Sequence, residues 1–175
     1  IRDRSLTINK MCGSGLKAIM LADQTIRSGD ADVIVAGGME SMTNSPYLID
    51  NARSGQRLGH GKLIDSMIRD GLWDVYNDKH MGNCAEMLAA ERNFTRQSQD
   101  DYAIESYNKS ISAIKNKIFS TEIVPVKVNQ GKGNSISVAD DEEPGRVKFD
   151  KITKLRPAFA SDGTITAANA SKIND

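Results

Sequence analysis

Cys12 is the residue of this sequence best suited to act as a nucleophile. It lies in the string N-K-M-C-G-S-G-L at residues 9–16, where an apolar segment meets the start of a predicted helix. Backbone N–H groups and the positive dipole end of a helix favour the thiolate over the thiol. Gly13 and Gly15 carry no Cβ, so a substrate carbonyl could approach the backbone closely. The pattern predicts covalent acyl transfer through Cys12.

A structural role is the alternative for Cys12. Cysteine is among the most frequently buried residue types, and glycine neighbours also suit a tightly packed position. A cysteine with no base visible nearby in the sequence is a weak signal for catalysis. The other cysteine, Cys84, lies in a different context. We therefore expect both to be free thiols in a reducing compartment.

The segments around Cys12 predict a βαβ unit. Residues 5–11 are predicted to form a strand, and residues 33–36, V-I-V-A, a short strand buried on both faces. Between them, residues 15–28 carry apolar side chains at helical spacing and end at Gly29. A strand, a helix and a strand joined by short turns indicate a parallel sheet with a right-handed crossover. The predicted fold class is therefore α/β.

The remainder of the chain alternates irregular and regular segments. Residues 43–62 are irregular, and so long an irregular stretch is usually functional or part of an interface. Helices are predicted at 63–71, 84–94 and 97–118, the last with Tyr102, Ile104, Tyr107, Ile111 and Ile114 spaced for burial. Residues 123–128 are predicted to form a strand, residues 131–145 a mobile acidic loop, and residues 161–163 a turn.

Composition excludes some classes of function. The 175 residues are 39% hydrophobic and 26% charged, with a formal net charge of zero, so no basic face for nucleic acid is expected. No apolar run approaches the roughly 20 residues that a membrane helix requires. The chain starts at Ile1 without a methionine and stops at Asp175 within a segment that reads as continuing. We expect it to be an internal part of a longer protein.

Two longer strings carry a resemblance to a known family. N-K-M-C-G-S-G-L-K-A-I-M-L-A and G-D-A-D-V-I-V-A-G-G-M-E-S-M closely resemble the segment of the thiolases that bears the acyl-enzyme cysteine. The resemblance covers essentially the whole chain and implies the layered αβαβα thiolase fold. Residues 1–42 would be part of the N-terminal core, 43–62 an oligomerisation arm, 63–160 the loop domain over coenzyme A, and 161–175 the return into the core.

The resemblance also implies the residues that bind substrate. Thiolases acting on acetoacetyl-CoA carry H-M-G at the position of His80 and Met81, where these side chains would narrow the acyl pocket. Arg146 would lie near the nucleotide end, since an arginine neutralises phosphate or stacks on a base. By the same matching, the remaining positions that line the coenzyme A channel are Leu72, Phe159, Ala167 and Ser171. From the sequence alone, a surface or packing role for His80 and Arg146 remains open.

A potassium site is a further implication. In the potassium-activated mitochondrial acetoacetyl-CoA thiolases, a tyrosine and backbone carbonyls of a T-A-A-N-A-S segment hold the ion. The matching residues here are Tyr107, Ala167, Ala168 and Ala170. The alternative for Tyr107 is a buried residue of a helix. Apart from potassium, no cofactor is expected for the chemistry, and coenzyme A is a substrate or product.

The function implied is that of an acetyl-CoA C-acetyltransferase. Two acetyl-CoA molecules would condense reversibly to acetoacetyl-CoA and CoA through an acetyl-Cys12 intermediate, in a homotetramer built as a dimer of dimers. The family's other catalytic groups lie in N-E-A-F, G-H-P and C-x-G-G-G motifs, none of which occurs here. Neither His60 nor His80 matches them, and Cys84 does not lie in a glycine-rich turn. The prediction is that residues 1–175 alone are inactive.

Two other functions compete with this one. A 3-ketoacyl-CoA thiolase for longer chains would share Cys12, and His80-Met81 argues against it. A non-catalytic acyl-CoA-binding relative would keep the fold without the chemistry, and the intact Cys12 motif argues against that. Nothing in the sequence chooses between a cytoplasmic and a mitochondrial location.

Overall fold

A computed structural model describes residues 5–174 of the chain. These residues form two compact units, one made of residues 5–81 with 172–174 and the other of Gly82–Ser171. Helix α1 (Ser14–Ser28) belongs to the first unit and ends where Gly29 adopts φ 80°, the left-handed conformation that glycine enters freely. This confirms the helix predicted from the apolar spacing.

The first unit otherwise contains short elements. Strand β1 (Tyr47–Ile49) pairs antiparallel with β2 (Leu63–Asp65), and β3 (Trp73–Asp74) pairs antiparallel with β4 (Lys79–His80). Single 3₁₀ turns occur at Met42–Asn44 and Ala52–Ser54, and a π-helical turn occurs at Met67–Leu72. The helix predicted at 63–71 is thus wrong in its first half, because pairing with β1 extends residues 63–65.

The second unit contains the remaining helices. Helix α2 (Met81–Glu91) begins at Met81, where the chain passes from the first unit to the second, and α3 (Arg96–Lys115) follows. Next come strands β5 (Val126–Gly131) and β6 (Asn134–Val138), then α4 (Glu143–Arg146) and α5 (Phe149–Ile152). The buried aliphatic residues of the described chain all lie here, at Ala89, Ala103, Ile152 and Ile165.

Three predictions about strands and loops are wrong. Residues 131–145 are not a mobile loop, because β6 pairs with β5 in a hairpin with Val126 opposite Val138 and Val128 opposite Ile136. The strand predicted at 123–128 is wrong over residues 123–125, because these lie before β5. Residues 5–11 and 33–36 have no ladder partner among residues 5–174, and Val35 is 98% exposed, so the predicted βαβ unit is absent from the described chain. A strand needs a neighbour to receive its backbone hydrogen bonds.

The buried side of α3 agrees with the prediction only in part. Tyr102 is 76% exposed, whereas Asp100 is 1% exposed and Ala103 is buried. The buried face follows Arg96, Asp100 and Ala103, which recur at helical spacing but include two charged residues. Of the residues predicted for burial, Ile104, Tyr107 and Ile111 are half-buried and continue this face, whereas Tyr102 and Ile114 are exposed.

Across residues 5–174 no helix has the length and apolar character needed to cross a membrane.

Candidate active site

Cys12 lies exposed on a tight turn that leads into α1. Its neighbour Met11 has φ 48°, a left-handed conformation that residues other than glycine rarely adopt, and Gly13 is the N-cap of the helix. The free thiol therefore stands immediately before the first helical turn. Within residues 5–174 the Cys12 thiol is open to solvent.

Two side chains, those of Ser14 and Asn9, brace this turn. Ser14 Oγ accepts a hydrogen bond of 2.8 Å from the Lys10 N–H and donates one of 2.7 Å to the Met11 carbonyl. The Asn9 side-chain oxygen accepts a hydrogen bond of 2.8 Å from the Met11 N–H. These bonds satisfy the backbone on both sides of the unusual Met11 conformation. They fix the turn that presents the thiol.

A glycine pair passes close to the start of α1. A Cβ placed on Gly38 would lie 3.5 Å from Gly15 Cα, so the two backbones approach without an intervening side chain. The sequence analysis singled out Gly15 for close approach of a substrate. In the described chain this glycine also permits close approach of residues 37–38.

The residues predicted for the acyl pocket lie around the β3–β4 hairpin. His80 is half-buried in β4 opposite Trp73, and Met81, the first residue of α2, is 40% exposed. The Trp73 indole N–H donates a hydrogen bond of 3.1 Å to Asp78, which closes the hairpin. Leu72 immediately precedes β3 and is half-buried. Leu72, His80 and Met81 thus share the first unit with Cys12.

Phe159 is held against α2 within the second unit. The Asn83 side-chain amide donates a hydrogen bond of 2.9 Å to the Phe159 carbonyl. A Cβ on Gly82 would overlap the Phe159 ring, so the ring lies directly on the glycine backbone. The phenylalanine is therefore fixed through both its backbone and its side chain.

A polar network that the sequence analysis missed holds the segment after Phe159. The Glu86 carboxylate accepts hydrogen bonds from the Thr164 and Ile165 N–H groups, each at 2.8 Å at its closest. The Asp100 carboxylate accepts one of 2.7 Å from Arg96 and one of 3.0 Å from the Asn169 amide. The spacing of Arg96 and Asp100 at i and i+4 was a signal available in the sequence.

The remaining predicted residues also lie in the second unit. Tyr107 donates a hydrogen bond of 3.1 Å to Glu143, and its ring meets Phe149 edge-on with centroids 6.4 Å apart. Arg146 is exposed and forms an ion pair with Glu142. Ala167 and Ser171 are exposed, whereas Ala168 and Ala170 are half-buried.

The predicted potassium ligands come from two segments of the second unit, namely Tyr107 on α3 and the carbonyls of residues 167–170. Asn169 contacts Asp100, which lies seven residues before Tyr107 on α3, or about 10 Å along the helix axis at 1.5 Å per residue. Among residues 5–174, no group of three or more His, Cys, Asp or Glu side chains is arranged to hold a metal ion.

The fold of the described residues and the sequence of the chain belong to a known class of protein. The sequence family described as "Thiolase, N-terminal domain" matches residues 3–175. The chain therefore belongs to the thiolase family, which confirms the resemblance. The Acat5 thiolase from Ascaris suum, solved in complex with coenzyme A, superposes with a TM-score of 0.87 at 42% identity over 97% of this chain and 43% of that chain. This confirms the thiolase fold.

Curated relatives narrow the comparison. The acetyl-CoA acetyltransferase of Pseudomonas aeruginosa is 51% identical over 98% of this chain and 44% of its own length. The acetyl-CoA acetyltransferase 2 of Arabidopsis thaliana is 52% identical over 97% of this chain and 42% of its own length. A probable acetyl-CoA acyltransferase of Staphylococcus aureus is 49% identical. The chain thus spans less than half the length of these relatives.

Proposed function

We propose that this chain carries the nucleophile of an acetyl-CoA C-acetyltransferase. The observation that supports this most directly is the exposed Cys12 thiol on a braced turn before α1. The relatives named acetyl-CoA acetyltransferase, which are 51% and 52% identical in sequence to this chain, support the same activity. The proposal includes acetyl-CoA, acetoacetyl-CoA and CoA as substrates and products.

The chemistry proposed for Cys12 proceeds in two steps. The Cys12 thiolate attacks the thioester carbonyl of acetyl-CoA, an S–C bond forms, and CoA leaves as a thiolate that takes up a proton. The carbanion of a second acetyl-CoA then attacks the acetyl-Cys12 carbonyl, which gives acetoacetyl-CoA and restores the cysteine thiolate. The covalent intermediate divides one difficult reaction into two easier ones.

Both steps need partners that the motifs of this chain do not supply. A base must remove the α-proton of the second acetyl-CoA, and hydrogen-bond donors must stabilise the oxyanions. We assign these roles to residues in the family's N-E-A-F, G-H-P and C-x-G-G-G motifs, which do not occur among residues 1–175. The proposal therefore concerns the full-length native protein.

Substrate recognition is proposed for the residues predicted from the resemblance. His80 and Met81 would narrow the acyl pocket, and Leu72 would pack on pantetheine. Phe159, fixed on Gly82, offers a rigid apolar face for the coenzyme, and Ser171 offers an exposed hydroxyl. Ala167 lies near Ser171 in sequence. The exposed Arg146 guanidinium, shared with Glu142, has further N–H donors for a phosphate.

Potassium binding and assembly are further parts of the proposal. A phenol oxygen and backbone carbonyls suit a hard cation, and Tyr107 keeps lone pairs free while its hydroxyl donates to Glu143. Tyr107 with the carbonyls of Ala167, Ala168 and Ala170 would hold the ion. Comparing activity in potassium and in sodium buffers tests potassium binding.

Residues 43–62 would form the arm through which the protein assembles as a homotetramer. The protein would act in the cytoplasm or in mitochondria.

The test of the proposed function is acetylation of Cys12. We expect the full-length protein incubated with acetyl-CoA to gain the mass of one acetyl group on the peptide that contains Cys12. Cys12→Ser should abolish thiolysis of acetoacetyl-CoA, whereas the matched control Cys84→Ser should retain both acetylation and turnover. Acetylation only at Cys84, or full activity of Cys12→Ser, would overturn the proposal.

Two measurements separate the competing functions. Turnover of 3-ketoacyl-CoA substrates of increasing chain length should be highest for acetoacetyl-CoA, and a maximum at long chains would make the protein a longer-chain thiolase. Acetyl-CoA should also protect Cys12 from alkylation by iodoacetamide. Coenzyme A binding without protection or turnover would identify a non-catalytic acyl-CoA-binding relative.

A further inference from the structure

Residues 158–165 form a closed loop in the second unit. The Ala158 N–H donates a hydrogen bond of 2.8 Å to the Ile165 carbonyl, which joins the two ends of the loop. The Gly163 N–H donates one of 3.1 Å to the Ala160 carbonyl and forms the turn between them. Phe159 lies at the beginning of this loop. The position of Phe159 therefore depends on what holds the other end of the loop, at residues 163–165.

The Glu86 carboxylate holds that end of the loop. Oε1 accepts hydrogen bonds from the Thr164 and Ile165 N–H groups at 3.0 and 2.8 Å, and Oε2 accepts from the Thr164 N–H and hydroxyl at 2.8 and 3.1 Å. A Cβ on Gly163 would overlap Glu86 Oε1, so the loop backbone lies directly on the carboxylate. All four hydrogen bonds come from two adjacent residues.

The same face of α2 holds the near side of the loop. Gly82 and Asn83 contact the ring and the carbonyl of Phe159, and Glu86 follows Gly82 by four residues, which places the two one above the other on the helix. The loop is thus fixed at Phe159 by one turn of α2 and at Thr164–Ile165 by the next. A rigid helix therefore sets the position of the phenylalanine.

The hydrogen bonds that hold the 158–165 loop require a carboxylate at residue 86. Glu86 forms none of the ion pairs found among the described residues, and its charge is instead met by N–H and O–H donors. Hydrogen bonds to an ionised acceptor are shorter and stronger than neutral ones. A glutamine has a similar shape but carries an NH₂ group, which would face N–H donors instead of accepting from them.

From this arrangement we propose that Glu86 is a positioning residue for coenzyme A binding. Its carboxylate fixes the 158–165 loop on α2, and the loop presents the Phe159 ring to the coenzyme. The inference rests on the proposed function for the contact between Phe159 and coenzyme A. Glu86 itself touches no substrate atom in this account, so its effect is on binding and not on the chemical step.

The experiment compares Glu86→Gln with the matched control Glu91→Gln in the full-length protein. Glu91 is an exposed residue at the end of the same helix, paired with Arg92. We expect Glu86→Gln to raise KM for CoA in thiolysis, and the calorimetric Kd for CoA, by about tenfold with kcat largely unchanged. Glu91→Gln should leave both constants unchanged.

The split between KM and kcat separates positioning from a purely structural role. If Glu86 only stabilised the fold, Glu86→Gln would lower the active fraction, so apparent kcat would fall while KM and Kd stayed the same. Glu86→Asp retains the carboxylate and should recover part of the affinity. An unchanged Kd for Glu86→Gln overturns the inference.

The same experiment distinguishes this inference from the proposed function. If the wild type is acetylated at Cys12 and Glu86→Gln binds CoA normally, only the role of Glu86 is lost. If the wild type neither binds CoA nor becomes acetylated, both the proposed function and the inference fall.

Discussion

The side-chain amide of Asn169 donates a hydrogen bond of 3.0 Å to the carboxylate of Asp100, which is only 1% exposed. The same amide group donates to the Thr164 carbonyl at 3.1 Å, and the Asn169 side-chain oxygen accepts from the Thr166 N–H at 2.7 Å. One asparagine therefore ties the 164–169 segment to itself and to α3. That segment contains Ala167 and is followed by Ser171, and substrate binding is proposed for both.

Removal of the buried carboxylate should destabilise the second unit. Asp100→Ala removes the carboxylate that pairs with the Arg96 guanidinium, a quarter exposed and then bonded to the Ile152 carbonyl alone, and deprives Asn169 of an acceptor. Breaking a buried ion pair by removing one partner costs about 3–5 kcal/mol. We expect a loss of that size in the free energy of unfolding, measured by urea denaturation.

Asp101 provides the control for Asp100. It is the next residue on α3 and is exposed, and its carboxylate accepts a hydrogen bond of 2.7 Å from the Gln97 side-chain amide. Asp101→Ala should change the free energy of unfolding by about 0.5 kcal/mol or less. Equal effects of the two substitutions would contradict the role given to the buried network.

Gly82 should not tolerate a side chain. In Gly82→Ala the new Cβ would overlap the Phe159 ring, and because the glycine is buried in α2 the ring itself must move. Overpacking of this kind costs about 1–3 kcal/mol. We expect a lower melting temperature together with weaker CoA binding, measured by calorimetry.

The control for Gly82→Ala is a glycine in open space. Gly145 lies in α4 and a Cβ there would meet nothing within 4 Å. Gly145→Ala should stabilise the protein slightly, by roughly 0.5–1 kcal/mol, since glycine is unfavourable in a helix. If Gly82→Ala were equally stabilising, the packing of Phe159 on Gly82 would be wrong.

The turn that presents Cys12 should depend on Ser14. Ser14→Ala removes the acceptor for the Lys10 N–H and the donor to the Met11 carbonyl, so the left-handed Met11 conformation loses support. We expect the rate of Cys12 acetylation by acetyl-CoA to fall by about tenfold, the equivalent of one or two hydrogen bonds. Rapid-quench mass spectrometry measures that rate.

Ser28 serves as the matched serine at the other end of α1. Its hydroxyl bonds to the Thr25 carbonyl and to Asp30, away from Cys12. Ser28→Ala should leave the acetylation rate unchanged. An identical decrease in both variants would show that helix stability, not the geometry of the turn, controls Cys12.

The exposed ion pair between Glu105 and Lys109 on α3 should contribute to stability in a pH-dependent way. The hydrogen bond from Lys109, and then its charge, lower the pKa of Glu105, while Glu105 raises the pKa of Lys109. The contribution of the pair is present above the ordinary glutamate range and is lost as pH falls through the lowered Glu105 pKa. It is also lost as pH rises through the raised Lys109 pKa.

The measurement for this pair is an NMR titration of the Glu105 carboxyl carbon. Lys109→Met should return the Glu105 pKa upward to its ordinary value, because both causes of the decrease disappear. Lys115→Met, at the end of the same helix, should leave the titration unchanged. No upward movement in Lys109→Met would exclude the pair as the cause.

Features that depend on local sequence were predicted well. The apolar spacing after Gly15 and the glycine at 29 defined α1, and α3 was predicted within a few residues of its bounds. Helical hydrogen bonds form between residues four apart, so the necessary partners lie within the same segment. The motif around Cys12 likewise lies within one short segment, and it identified the family.

Features that depend on distant partners required the tertiary structure. The extended segments at 5–11 and 33–36 looked like strands, yet a strand exists only where a neighbour accepts its hydrogen bonds. β6 could not be distinguished from a loop until its pairing with β5 was known. The sequence also gave no sign that Glu86 would bind the backbone 78 residues further on.

By itself, then, the sequence determined the family and the principal helices and singled out Cys12 as the candidate nucleophile, because each is encoded by residues close together in the chain. Only the tertiary structure decided which strands pair, which face of α3 is buried, and which carboxylates hold the 158–170 segment. The physical reason is that burial and hydrogen bonding between distant residues outweigh local propensity. Asp100 illustrates this, since a charged residue became one of the most buried in the described chain once Arg96 and Asn169 satisfied it.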